Sequence, residues 1–145
     1  MRIRFAELFA SALLLVACIA APASAADPAP AFVSTAAPIS QADLLARLER
    51  RDPDLVVLDV RTAAEFAAGH VPGARNVSHE LLASRLDELS SARDKQVVLY
   101  CRSGRRTSLA EDVLRKAGFT RLGHLEGDYL AWEAEHRPIE RSPAL

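Results

Sequence analysis

From about residue 39 onward the chain alternates between two apolar rhythms. Leu44, Leu45 and Leu48 recur at helical spacing up to Arg51, with Ser40 and Asp43 ahead of them as an N-cap and an acidic first turn. Asp52-Pro53-Asp54 stops that helix. Residues 55–60 form a short, valine-rich run that is apolar except for Asp59, the composition of a strand buried on both faces. Thr62 and Glu65 make a capping box for a short helix ending at Gly69, and Pro72-Gly73 turns the chain into a brief strand at 74–77. Ser78 precedes a predicted helix carrying Leu81, Leu82, Leu86 and Leu89, and residues 96–100, apolar after Gln96, form the second buried strand. Beyond a loop at 101–106, Leu109, Ala110, Val113, Leu114 and Ala117 make a helix face closed by Gly118. A strand at 121–125 follows, then Gly127 and a last helix at 129–136 that Pro138 closes. This alternation predicts an α/β domain over residues 39–140, with a central, mainly parallel sheet of about five strands and helices on both faces.

The first 38 residues follow neither rhythm. Arg2 and Arg4 precede an apolar run over 8–21, and Ala23-Ser24-Ala25 has the small-x-small pattern of a cleavage site, so residues 1–25 read as a secretory signal peptide. The apolar stretch is shorter than the roughly 20 residues of a membrane span, and Pro22 follows it. Leu15-Val16-Ala17-Cys18 also resembles the lipobox of bacterial lipoproteins, where cleavage before Cys18 would leave that cysteine lipidated. Either route leads out of the cytoplasm, to a periplasmic or secreted product or to one anchored through Cys18. Residues 26–38 are rich in alanine and proline and read as a linker.

Composition narrows the function. A chain of 145 residues, 50% apolar and 26% charged, accommodates one sizeable core. With 18 basic against 19 acidic residues the net charge is -1, so no long-range field draws the protein to nucleic acid, and membrane contact is expected only through a lipidated Cys18. The histidines His70, His79, His124 and His136 are scattered without ligand-like pairing, so neither a metal nor another cofactor is expected. Cys101 is the one thiol both routes leave in the mature chain, in a compartment that oxidises thiols.

Cys101 directly follows an apolar strand, and a helix starts a few residues later. In an open parallel sheet this is where ligands bind, because the first amides of a helix point there. A curled loop over 101–106 makes an anion-binding nest of backbone N–H groups, and Gly104 allows the turn and a close backbone approach. The helix N-terminus and the guanidinium groups of Arg102, Arg105 and Arg106 both favour a thiolate, and so a nucleophile.

Cys101-Arg102-Ser103-Gly104-Arg105-Arg106 resembles the CxxGxR active loop of the rhodanese family of sulfurtransferases. Leu58-Asp59-Val60-Arg61, Glu65-Phe66 and Gly69-His70-Val71-Pro72-Gly73-Ala74-Arg75-Asn76 resemble the DVR, EF and GHxPGAxN segments that precede that loop. Leu125-Glu126-Gly127-Asp128-Tyr129 through Trp132 resembles the LxGGxxxW segment that follows it. In layout the chain is similar to the small exported rhodaneses of the phage-shock type. The resemblance implies a cofactor-free ping-pong sulfurtransferase in which Cys101 takes sulfur from thiosulfate or another small anionic donor and passes it as a persulfide to cyanide or a thiol. It makes Cys101 catalytic, places Arg102, Ser103, Gly104, Arg105, Arg106 and Thr107 in the substrate-binding loop, and gives Asp59 and Arg61 a bracing role. His70 belongs to the turn before Pro72. Asp128 departs from the pattern, standing where the family has a second glycine and placing a carboxylate near the loop mouth.

Two other classes share parts of this pattern. Cysteine phosphatases and arsenate reductases use a CxxxxxR loop, whose arginine falls where Thr107 stands here; the shorter loop makes a tighter cup, better suited to one sulfur atom than to a tetrahedral oxyanion. Non-catalytic binding or sensing modules use the same fold for docking and often lack the cysteine, which this chain keeps.

Overall fold

The computed structural model describes residues 34–142; the stretch read as a signal peptide, Cys18 and most of the stretch read as a linker lie outside the described residues. The elements run β1 (Ala37–Ile39), α1 (Gln41–Glu49), β2 (Leu55–Asp59), α2 (Ala63–Ala68), β3 (Arg75–Asn76), β4 (Gln96–Tyr100), α3 (Arg105–Lys116), β5 (Leu122–Leu125) and α4 (Asp128–Ala134). The strands form one sheet in the order β1-β5-β4-β2-β3, with every adjacent pair parallel. The predicted α/β architecture is therefore the observed one.

Strand alternation divides the core into two layers. Leu58, Val97 and Leu99 point to one face, where they meet Ala110 and Leu114 of α3 together with Leu82, Leu89 and Phe119. Val57, Val98 and Tyr100 point to the other, against Leu44 of α1 and Tyr129 and Trp132 of α4. Residues that read as a uniform apolar run thus serve two cores, as a strand covered on both sides requires.

The structure corrects the sequence reading in two places. Ala37 and Pro38, assigned to the linker by composition, lie in the edge strand β1, where they pair with Gly123 and His124. The helix expected to carry Leu81, Leu82, Leu86 and Leu89 is instead a pair of 3₁₀ segments, Leu82–Ser84 and Leu86–Ala92. There the Ser84 hydroxyl donates to the Leu81 carbonyl, competing with backbone pairing. Leu89 and Ala92, three apart, eclipse on the buried side of the second segment, while Leu81 is 51% exposed. No helix among the described residues is long and apolar enough to cross a membrane.

Candidate active site

Strand β4 lies in the middle of the sheet and ends on Tyr100, so the next residue, Cys101, is delivered to the carboxyl edge. Its side chain is 1% exposed and forms part of the floor of a cavity of about 400 Å³. The cavity is lined by His79, Cys101, Arg102, Ser103, Arg105, Arg106 and Leu109, with no carboxylate among them. The loop doubles back as expected: Gly104 N–H donates to Cys101 Sγ at 3.1 Å. Gly104 has φ +98° and is the N-cap of α3, and a Cβ built on it would lie 3.2 Å from Asp128 Oδ2, so both conformation and space call for glycine.

Two elements hold the loop from behind. The first-turn amides of α4 donate to it, Tyr129 N–H to the Cys101 carbonyl at 3.1 Å and Leu130 N–H to the Arg102 carbonyl at 3.2 Å. The Asp128 carboxylate accepts the Cys101 N–H at 2.7 Å and the Thr107 hydroxyl at 3.1 Å. Asp128 is 4% exposed and therefore braces the loop from beneath instead of standing at its mouth. Thr107 is fully buried, turns its hydroxyl inward to that carboxylate, and is not among the residues that line the cavity.

The arginines differ in their surroundings. Arg102 and Arg105 are exposed on the cavity wall. Arg106 is forked onto Glu65 of α2, at 2.7 and 2.8 Å. Glu65 also closes the capping box, accepting the Thr62 N–H at 3.1 Å, so one carboxylate caps α2 and aims the loop's last guanidinium. The Arg106 hydrogen bond holds the Glu65 carboxyl down to about 2 against the opposing effect of burial. Hydrogen bonding to Glu65 likewise raises Arg106 above its usual range, with a further contribution from Cys101.

Asp59 and Arg61 brace the region beside the loop. Arg61 Nη2 lies 2.5 Å from Asp59 Oδ2 and donates to the Gly69 carbonyl at 2.7 Å, and its guanidinium stacks 3.8 Å from the Tyr129 ring centroid. His70 holds the end of α2, its Nδ1 2.8 Å from the Phe66 carbonyl. Sequence reasoning missed His79 and Leu109 on the cavity wall, Glu65 as the partner of Arg106, and His124. His124 Nε2 lies 2.9 Å from Asp128 Oδ2 and its Nδ1 3.1 Å from Glu111 Oε1. Neither pairing had a signal in the sequence: His124 and Asp128 are four apart but lie on a strand and at the start of the next helix, where that spacing implies no contact, and Glu65 and Arg106 are 41 residues apart.

Sheet, loop and cup define an α/β domain built around a cysteine that a curled, arginine-rich loop encloses. The rhodanese-like domain model matches residues 40–135, and the chain belongs to that family. A sulfurtransferase of Allochromatium vinosum is 37% identical over 86 residues, which cover 59% of this chain and 78% of that one. A putative mitochondrial thiosulfate sulfurtransferase of Schizosaccharomyces pombe is 31% identical over 96 residues, 56% of this chain and 65% of its own length. Among solved structures, a rhodanese-related protein of Thermoplasma volcanium superposes with a TM-score of 0.63 at 26% identity, covering 73% of this chain and 99% of that one.

Proposed function

We propose that the protein is a thiosulfate or sulfane-sulfur sulfurtransferase acting through a Cys101 persulfide. The observation that carries the reading is the position of Sγ, bonded to the Gly104 amide within a cavity whose charged lining is all basic. The cup suits small anions: the thiolate attacks the outer sulfur of thiosulfate, the sulfur–sulfur bond breaks, and sulfite leaves with the electron pair. The persulfide left on Cys101 keeps one negative charge, which the loop amides and the arginines offset. Cyanide then takes the outer sulfur as thiocyanate, or a thiol takes it as a new persulfide, and the Cys101 thiolate is restored. Intact mass spectrometry tests this: thiosulfate should add one sulfur atom, and cyanide should remove it with release of thiocyanate. A protein that gains no sulfur from thiosulfate or from low-molecular-weight persulfides rules the reading out.

The same reading places the protein outside the cytoplasm, supported by Arg2, Arg4, the apolar run and Ala23-Ser24-Ala25. A soluble mature chain starting at Ala26 is the outcome of ordinary cleavage, and a membrane-bound chain starting at acylated Cys18 that of the lipoprotein route. An unprocessed cytoplasmic chain would count against both.

A further inference from the structure

Asp128 stands where the resembling pattern has a second glycine, and it adopts a backbone that glycine takes without strain, φ +52°. The side chain accepted at this cost makes specific contacts. Oδ1 receives the Cys101 amide and the Thr107 hydroxyl, while Oδ2 lies 2.9 Å from His124 Nε2. The other imidazole nitrogen lies 3.1 Å from Glu111 of α3. His124, on β5, therefore bridges two carboxylates in the layer beneath the active loop. These groups do not converge on one point, since each nitrogen faces its own carboxylate, and no group of the described residues has metal-holding geometry.

A buried carboxylate bonded to the amide of the nucleophilic residue fixes the loop, yet its charge disfavours a thiolate nearby. An imidazolium between the two carboxylates offsets that charge. We propose that Asp128 and His124 are a positioning pair for Cys101: Asp128 holds the loop through the Cys101 amide, and cationic His124 cancels the negative charge which that hold places under the sulfur. The inference rests on the sulfur-transfer reading of Cys101.

The charged groups that meet His124 are Glu111 from α3 and Asp128 from α4. Burial works against the imidazolium, but the hydrogen bond to Asp128 and the close negative charge of Glu111 outweigh it and push the group up to about 9, so the cation persists at neutral pH. Glu111 is itself held in place by the Ser34 hydroxyl at 2.7 Å and by the Thr35 and Ala36 amides at 3.2 and 3.3 Å.

Two readouts on the full folded chain test the pair: kcat for sulfur transfer from thiosulfate, and the pH profile of Cys101 alkylation by iodoacetamide. Asp128→Gly relaxes the backbone but removes the acceptor, and kcat is expected to fall roughly tenfold. Asp128→Asn keeps an acceptor oxygen for the amide and is expected to lose less, which separates holding the loop from folding. His124→Gln leaves the carboxylates uncompensated and is expected to move the alkylation profile to higher pH. Adding Asp128→Gly to His124→Gln should return the profile toward lower pH, because the carboxylate bonded to the Cys101 amide is gone and only the Glu111 charge is left. Unchanged kcat in Asp128→Gly, or an alkylation profile in His124→Gln that superimposes on that of the parent, would overturn the proposal. Alkylation needs no sulfur donor, so a shifted profile in a protein that accepts no sulfur would defeat the proposed function while leaving the pairing intact.

Discussion

Cys101 and Arg106 occupy the same cup and should fail differently when changed. Cys101→Ser is expected to abolish sulfur uptake, since a hydroxyl ionises far less readily and forms no persulfide; loss of the mass gain with thiosulfate is the check. Arg106→Ala keeps the thiol, and kcat/KM for thiosulfate is expected to fall roughly tenfold to a thousandfold as anion stabilisation is lost. Lysine at 106 should recover only part, because a point charge cannot reproduce the fork onto Glu65. Glu65→Gln weakens that fork and is expected to raise KM more than it lowers kcat. The Glu65 carboxyl is lowered from 4.5 to about 2 by Arg106, so its contribution to stability is present above about pH 4.5 and disappears as pH falls through about 2. The nucleophile was legible because its neighbours in sequence are also its neighbours in space. The aim of Arg106 was not, because its partner belongs to a helix 41 residues earlier.

Loop length and helix starts decide the chemistry at the level of elements. Inserting one glycine between Gly104 and Arg105 would widen the cup and detach the α3 N-terminus from the Gly104–sulfur contact. Thiosulfate turnover by this variant is expected to drop, and the parent protein should hydrolyse aryl phosphates far more slowly than it consumes thiosulfate. Equal rates on the two substrates would refute the loop-length argument. At the start of α4, Gly127 has φ +72°, and an added Cβ would meet the Ala131 Cβ at 2.4 Å. Gly127→Ala should therefore destabilise the fold by about 1–3 kcal/mol, read as a lower urea midpoint, and should disturb the Tyr129 and Leu130 amides that hold the loop. The Thr62–Glu65 capping box of α2 and the glycines at the starts of α3 and α4 were legible from a few adjacent residues. The segment from Leu82 to Ala92 was not, since its leucines fit an α-helix and only packing and the Ser84 hydroxyl favour the tighter 3₁₀ turns.

Across the whole molecule, the bridge from Glu111 through His124 to Asp128 connects the entry to the domain with the floor of the active loop. His124 is raised from 6.5 to about 9, so the stability it contributes is complete below about pH 6.5 and is lost as pH rises through about 9. The melting temperature should accordingly decline across that window, and Glu111→Gln, which removes one of the two anions, should flatten the decline. A slope unchanged in Glu111→Gln would place the titration elsewhere. The sequence by itself determined the alternation of elements, the parallel α/β class and the position of Cys101 between a buried strand and a helix start, because periodicity, caps and turns act within a few residues. Only the tertiary structure decided the strand order, the inward turn of Thr107, the fork from Glu65 to Arg106 and the burial of Asp128 against His124. Each of these depends on which separate elements come to lie side by side, and that is settled by packing two cores against one sheet, not by the residues adjacent in the chain.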